Sequence, residues 1–217
     1  MSNQTKHAPR PGPTNASGFW IDHPDHQAWL KSQAESQFAF FAASKQDRAG
    51  FHQLDYNGKP MDSGLQELHS TTRLVHAYAL GMSQAHIGAG DIVDQGMAYL
   101  ASHHRDPVHG GFAWAMEGDT IIDGRKLAYG HVFVLLAAAS AKNVGHPDAD
   151  ALLTQISEIL DQHFWEETAG LYCDEWNRDW TPFSTYRGMN ANMHGIEAML
   201  AAFEATGDSK FLDRAGR

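Results

Sequence analysis

The chain is poor in cysteine and in positive charge, and each shortage excludes a class of protein. Only one of its 217 residues is a cysteine, Cys173, so the chain has no internal disulfide framework, which fits a reducing compartment. Lys and Arg total 16 against 26 Asp and Glu, for a net charge of −10, and the basic residues are scattered. A nucleic-acid partner, which needs a basic face, is therefore not expected.

Long apolar runs are also missing. No stretch approaches the ~18 apolar residues that cross a bilayer, so a membrane partner is not expected either. The amino-terminal segment MSNQTKHAPRPGPTNASG lacks the apolar core of a signal peptide. We therefore predict a flexible tail over residues 1–18 of a cytoplasmic protein, followed by one domain over residues 19–217. The hydrophobic content of 42% suffices for a folded core.

The sequence contains a repeat of about sixty residues. Three segments, QDRAGFHQLDYNGKP, DPVHGGFAWAMEGDT and EETAGLYCDEWNRDW, each place a glycine (Gly50, Gly111 and Gly170) before a short polar–apolar alternation. This pattern predicts a small hairpin-like loop. Each loop precedes a mostly apolar helix, within TTRLVHAYALGMSQ, LAYGHVFVLLAAASAK and NANMHGIEAMLAAFEAT. A more amphipathic helix follows each of the first two apolar helices.

The alternation of buried and amphipathic helices predicts an all-α toroid of helical hairpins, with inner helices surrounded by outer ones. Such a ring closes with about six hairpins, and the chain shows three. The expected fold class is therefore an (α/α)6 barrel of which this chain supplies about half. The open edge of such an arc exposes apolar surface, which favours association into a homo-oligomer.

Polar residues recur at equivalent positions near the start of each apolar helix. Residues four apart share a helix face, and in a toroid these helix starts lie at one end of the ring, where their side chains can converge. Such a cluster suits a sugar, because aromatic faces stack on the pyranose while polar groups bind its hydroxyls. The residues are His69 and Arg73, then Tyr129, then Asn190 and His194, with the aromatic residues Trp114, Phe133 and Trp176 nearby.

Other chemistry-bearing residues favour structural roles. A lone arginine, tyrosine or histidine in a core helix commonly packs or pairs, so only the periodic placement raises the case for function. In SHHRDPVH the histidines His103, His104 and His109 have no acidic or cysteine partner at ligand spacing, which favours a solvated helix end over a metal site. Cys173 has no neighbouring base that would activate it. No cofactor is expected.

Four motifs in order, HSTTRLVHAYALG, HGGFAW, KLAYGHVFVLLAAAS and GMNANMHGIEAMLAAFEATGD, resemble the N-acylglucosamine 2-epimerase family. The similarity is greatest to its mannose isomerase and sulfoquinovose isomerase branch and runs from about Trp20 to the end of the chain. It implies an (α/α)6 barrel that acts on an unphosphorylated sugar without a metal. Members of the family open the ring, remove the proton on C2, and return it to C1 or to the other face of C2.

The resemblance also implies roles for individual residues. Arg73 matches the active-site arginine of the family, while Tyr129, Asn190 and His194 match residues that contact the substrate. We predict His194 and Arg73 as catalytic and Tyr129, Asn190 and Glu197 as substrate-binding, with Glu197 placed to orient His194. The principal proton-transfer histidines of the family lie in a second His-x-x-Glu motif and near the carboxyl end, and they match no position of this chain. The chain is therefore expected to carry half of the sugar site.

Several functions remain open at this stage. The first is an aldose–ketose isomerase of a hexose such as mannose or fructose, using an enediol intermediate. An N-acylglucosamine or cellobiose 2-epimerase is the nearest alternative, and a non-catalytic sugar-binding fragment is another. A glycoside hydrolase or lyase would need two carboxylates flanking the scissile bond, and Glu67, Asp174 and Glu175 have no matched partner.

Overall fold

The computed structural model describes residues 20–47 and 49–217, and most of these are helical. Contacts divide the chain into two units, one ending at Ala42 and the other spanning Ala43–Arg217. The predicted tail over residues 1–18 lies outside the described residues, and the single domain over residues 19–217 stays a prediction. The α-helices of the described residues are α1 (Pro24–Ala42), α2 (Leu68–Ser83), α3 (Ala89–Tyr99), α4 (Ala128–Asn143), α5 (Ala149–Ile159), α6 (Met189–Thr206) and α7 (Ser209–Ala215).

The described part of the first unit is built around α1. Pro24 opens this helix, where its missing N–H costs nothing because the first helical N–H groups have no intrahelical partner. The indole of Trp20 meets the ring of His26 edge-on at 5.0 Å.

The second unit is an array of helical hairpins. Helix α2 packs against α4 and α4 against α6, while α3, α5 and α7 each pack against the helix that precedes them. Every residue from Gly130 to Ala141 in α4 is buried, as expected for an inner helix with neighbours on most sides. The run Ala137–Ala139 is fully enclosed, and its small side chains let the neighbouring helices approach closely. The predicted alternation of inner and outer helices is confirmed.

Short antiparallel strands form the loops of each repeat. Gly50, Gly111 and Gly170 have φ values of +86°, +66° and +64°, in the left-handed region that favours glycine. The predicted hairpin-like loops are confirmed. The strands are β1 (Gln53–Leu54), β2 (Pro60–Met61), β3 (Leu65–Glu67), β4 (Ala115–Glu117), β5 (Thr120–Asp123), β6 (Lys126–Leu127), β7 (Trp165–Glu166), β8 (Leu171–Tyr172) and β9 (Glu175–Trp176).

The loop of each later repeat holds the start of the preceding inner helix. Strand β3 pairs with β4, and the backbone N–H of Leu68 donates to the carbonyl of Trp114 at 2.8 Å. Strand β6 pairs with β9, and the N–H of Ala128 donates to the carbonyl of Asp174 at 2.8 Å. These bonds satisfy N–H groups that have no partner within the helix, and they place loop residues such as Trp114 beside the helix starts.

His104 is buried, although the sequence predicted a solvated helix end for its segment. A π-helical turn, Leu100–His104, extends α3 and carries the ring inward, where it is fully buried. Its Nδ1 donates to the carbonyl of Ala113 at 3.1 Å, and the hydroxyl of Thr71 donates to its Nε2 at 3.2 Å. Burial lowers the pKa of His104 to about 4. The prediction was wrong here because sequence spacing alone did not reveal the added π-helical turn.

This buried histidine is expected to make the chain sensitive to acid. Above pH 6.5 His104 is neutral in both the folded and the unfolded chain. Below pH 6.5 the unfolded chain binds a proton on this side chain while the folded chain does not, so the free energy of unfolding falls as the pH drops towards 4. At about 1.4 kcal/mol per pKa unit, the loss is roughly 2 kcal/mol by about pH 5. Urea unfolding at about pH 7.5 and pH 5 measures the free energy of unfolding at each pH, and His104→Gln should lose less of it between the two than the wild type does. His103→Gln is the matched control, and equal losses in both variants would contradict the assignment.

Large apolar side chains remain exposed along α6. Met189, Met193, Ile196 and Leu200 recur at helical spacing and are 82%, 50%, 46% and 42% exposed. The predicted homo-oligomer stays a prediction. No helix within residues 20–47 and 49–217 is long and apolar enough to cross a membrane.

Candidate functional site

The three inner helices present equivalent positions to one another. Because α2, α4 and α6 begin at Leu68, Ala128 and Met189, their residues can be compared position by position. The second residues are His69, Tyr129 and Asn190; the sixth are Arg73, Phe133 and His194; and the ninth are His76, Leu136 and Glu197.

Arg73 and Tyr129 form the centre of a polar and aromatic cluster. Nη2 of Arg73 donates to the hydroxyl of Tyr129 at 2.7 Å. Because the hydroxyl oxygen accepts this bond, its own hydrogen remains free to be donated elsewhere. The guanidinium also lies over the ring of Phe133, 4.5 Å from its centroid, a cation–π contact. Arg73 is itself exposed, so its remaining N–H donors can reach a ligand.

His194 joins the same cluster from α6. Its ring lies 4.8 Å from the ring of Phe133 and meets the ring of Tyr129 edge-on at 5.6 Å. Phe133 and Tyr129 thus connect Arg73 to His194 across three helices. The structure brings these two predicted catalytic residues to the same aromatic pair.

Glu197 fixes the orientation of the His194 ring. Nδ1 of His194 lies 2.8 Å from Oε2 of Glu197, one helical turn further along α6. A carboxylate can only accept, so Nδ1 carries the hydrogen and Nε2 keeps a free lone pair. That arrangement gives His194 a nitrogen able to accept a proton.

His69 and Trp114 form a wall beside Tyr129. Their rings are stacked, with centroids 5.0 Å apart and planes within 9°. Each is also close to Tyr129, His69 at 6.0 Å and Trp114 at 6.2 Å between centroids. Burial lowers the pKa of His69, with Arg73 adding to the effect and Glu67 opposing it.

The structure does not bring Asn190 to the cluster. Its side chain is exposed in the first turn of α6, with no hydrogen bond to another described residue. Asn192, two residues on, instead ties α6 to strand β8: its Oδ1 accepts from the N–H of Tyr172 at 2.7 Å. Its Nδ2 donates to the carbonyl of Gly188 at 2.8 Å. The substrate-binding role of Asn190 stays a prediction. Trp176 contacts none of the cluster rings in the described structure.

A second polar pair lies further along the inner helices and was missed in the sequence. Nδ1 of His76 lies 2.7 Å from the hydroxyl of Ser140, which itself donates to the carbonyl of Leu136. Burial lowers the pKa of His76, and the carboxylate of Glu197 opposes this. His76 and Glu197 occupy the same position of their helices, so extending the repeat comparison by three residues could have singled out His76, but it would not have identified Ser140 as its partner.

The loops around the cluster are joined by a buried ion pair. Oδ2 of Asp106 accepts from Nζ of Lys126 at 2.9 Å and from Nε of Arg178 at 2.8 Å, and both Asp106 and Lys126 have fully buried side chains. Burial would raise the pKa of Asp106, but the hydrogen bonds from Arg178 and Lys126 hold it below its usual value. Burial lowers the pKa of Lys126 despite its partner. No pattern in the sequence indicated this pair.

The described residues contain no cluster of three or more His, Cys, Asp or Glu side chains placed to hold a metal ion. The polar groups of the cluster around Arg73 and Tyr129 are instead a guanidinium, a phenol, two imidazoles and one carboxylate. Such groups can form hydrogen bonds with the hydroxyl and carbonyl groups of a ligand, and an imidazole nitrogen can accept or release a proton.

Known proteins resemble both the sequence and the structure. The chain is 41% identical to the D-mannose isomerase of Thermobifida fusca over 202 aligned residues. This alignment covers 92% of this chain and 49% of that protein. A crystal structure of a D-mannose isomerase superposes with a TM-score of 0.83 at 34% identity, over 88% of this chain and 49% of that one. The cellobiose 2-epimerase of Bacillus thermoamylovorans B4167 gives a TM-score of 0.80 at 19% identity, over 88% and 54%, a likeness that shows the fold alone.

These neighbours are (α/α)6 barrel proteins, which confirms the predicted fold class. The chain spans about half the length of the curated relatives it matches. The sequence model of the N-acylglucosamine 2-epimerase (GlcNAc 2-epimerase) family matches residues 49–217. The chain therefore belongs to the N-acylglucosamine 2-epimerase family.

Proposed function

We propose that the cluster of Arg73, Tyr129 and His194 is one wall of the sugar site of an aldose–ketose isomerase. The observation that carries the proposal is the continuous set of contacts from Arg73 through Tyr129 and Phe133 to His194 and Glu197. A D-mannose isomerase is among its relatives, so an unphosphorylated hexose such as mannose is the proposed substrate.

The reaction requires a base and stabilisation of negative charge. A base removes the proton on C2 of the open-chain aldose, and the carbonyl oxygen on C1 takes up negative charge as an enediolate. Return of a proton to C1, with transfer of the O2 hydroxyl proton to O1, gives the ketose. Nε2 of His194 is the proposed proton acceptor, since Nδ1 is committed to Glu197.

Arg73 and Tyr129 are placed to stabilise the enediolate. The guanidinium offers several donors in a fixed plane, and its bond to Tyr129 orients the phenol so that its hydrogen can be donated to the same oxygen. Donors that are already in position need no reorganisation as charge develops, which is why such groups lower the barrier.

Incubating the chain with mannose in deuterated water tests this proposal. We expect fructose that carries deuterium on C1, observed by NMR, and a loss of about 100-fold or more in rate for His194→Ala. His109→Asn, an exposed histidine outside the cluster, is the control and should keep the wild-type rate. Glucose in place of fructose would identify a 2-epimerase, and mannose left unexchanged although it binds would support a non-catalytic sugar-binding role.

A further inference from the structure

His69 lies in the cluster, and the family resemblance implied no role for it. It is the second residue of α2, the position that Tyr129 holds in α4, and it lies one turn before Arg73 on the same helix. Its ring stacks on Trp114 and approaches Tyr129. The ring is therefore held in place beside the two groups that are proposed to bind sugar oxygens.

The two ring nitrogens of His69 have different surroundings. Nδ1 is enclosed and has no hydrogen-bond partner, whereas Nε2 is not enclosed in this way and makes no hydrogen bond to another described residue. A hydrogen on Nδ1 would leave a buried N–H donor without an acceptor, which is unfavourable. A hydrogen on Nε2 avoids that cost, since only a lone pair is then left enclosed.

The ring is also held neutral. Burial lowers the pKa of His69, and the adjacent guanidinium of Arg73 acts in the same direction. At neutral pH His69 is therefore a neutral imidazole whose N–H donor is on Nε2. A neutral donor of fixed position suits a hydroxyl or carbonyl oxygen, and it adds no second positive charge beside Arg73.

We propose that His69 is a substrate-binding residue that donates a hydrogen bond from Nε2–H to a sugar oxygen beside Arg73. This inference rests on the proposed function, because it places His69 in the same sugar site. The stacked indole of Trp114 holds the imidazole plane, so His69 binds through a fixed donor and Trp114 is its positioning residue.

Two substitutions separate the donor from the stacked ring. His69→Gln keeps an N–H donor at a similar distance from the backbone but loses the ring, whereas His69→Phe keeps a ring that can stack on Trp114 but has no donor. The affinity for mannose and for fructose is measured by calorimetry on the wild type and both variants. We expect His69→Phe to bind about tenfold more weakly, and His69→Gln to stay within about threefold of the wild type.

Each outcome of this experiment decides the proposal. If His69→Phe binds as the wild type does, or if it binds better than His69→Gln, His69 is not a donor and the proposal fails while the sugar site stands. If the wild type binds neither sugar, both the proposed function and this inference fail. The nitrogen NMR spectrum of the imidazole gives an independent readout: at pH 7 it should show a neutral ring with its hydrogen on Nε2, and a hydrogen on Nδ1 or a charged ring would overturn the proposal.

Discussion

Asp106→Ala is expected to lower the free energy of unfolding by about 3–5 kcal/mol, because it leaves a buried charge without its partner. The side chain of Lys126 is fully buried, and Asp106 is its hydrogen-bonded anion. The carboxylate also accepts from the backbone N–H groups of Val108 and His109, at 3.0 Å and 3.3 Å, which would lose their partner as well. Denaturant unfolding followed by circular dichroism measures the loss.

Two further variants keep this expectation testable if Asp106→Ala does not fold. Asp106→Asn keeps one oxygen that can accept from the backbone N–H groups and should lose less than Asp106→Ala, although its amide nitrogen cannot accept from Lys126 and Arg178. Adding Lys126→Met to Asp106→Ala should restore part of the stability, because the unpaired buried cation is then gone. Asp91→Ala, which breaks an exposed pair with Lys45, is the control and should leave the unfolding midpoint near that of the wild type. A stable Asp106→Ala, or a double variant no more stable than the single one, would contradict the assignment.

Arg73→Ala is expected to lower kcat for mannose isomerisation by about 100- to 1,000-fold, the usual loss when one donor to a developing negative charge is removed. It removes both the cation and the bond that orients the hydroxyl of Tyr129. Arg73→Lys should recover little of the rate, because an ammonium group cannot reproduce the planar set of donors. Separate measurement of kcat and KM tests the proposed role, since the larger change should be in kcat.

The partnership between Arg73 and Tyr129 makes a second measurement informative. Tyr129→Phe removes one hydroxyl, and the effects of the two substitutions should not add, because each disrupts the same hydrogen bond. Arg214→Lys is the matched control: Arg214 also lies over an aromatic ring, 5.0 Å from the centroid of Trp165, but on α7 and outside the cluster. Additive effects, or an equal loss in the control, would argue against a joint role at the site.

The helical hairpins could be predicted from the sequence because their signals are local. Apolar side chains recur with the period of a helix, and Gly50, Gly111 and Gly170 mark loops whose backbone needs a left-handed conformation. The same repeat placed Arg73, Tyr129 and His194 at matching helix starts, and the structure joins them through Tyr129 and Phe133.

Tertiary structure was needed wherever a contact joins distant parts of the chain. Asp106 and Arg178 are 72 residues apart, and neither has a local pattern that marks it as the partner of the other. The burial of His104 follows from a π-helical turn, whose hydrogen bonds leave no periodic signature in the sequence. The choice of Asn192 over Asn190 as the residue that anchors α6 depends on where the strand of Tyr172 lies.

The sequence by itself thus determined the helices, their repeat and the helix positions that carry polar residues, because each depends on spacing along one element. Only the tertiary structure decided which of those residues touch, which nitrogens of His69 and His194 are free, and which charges are buried. Those properties depend on the approach of separate helices and loops, and the pairing of β3 with β4 and of β6 with β9 sets that approach.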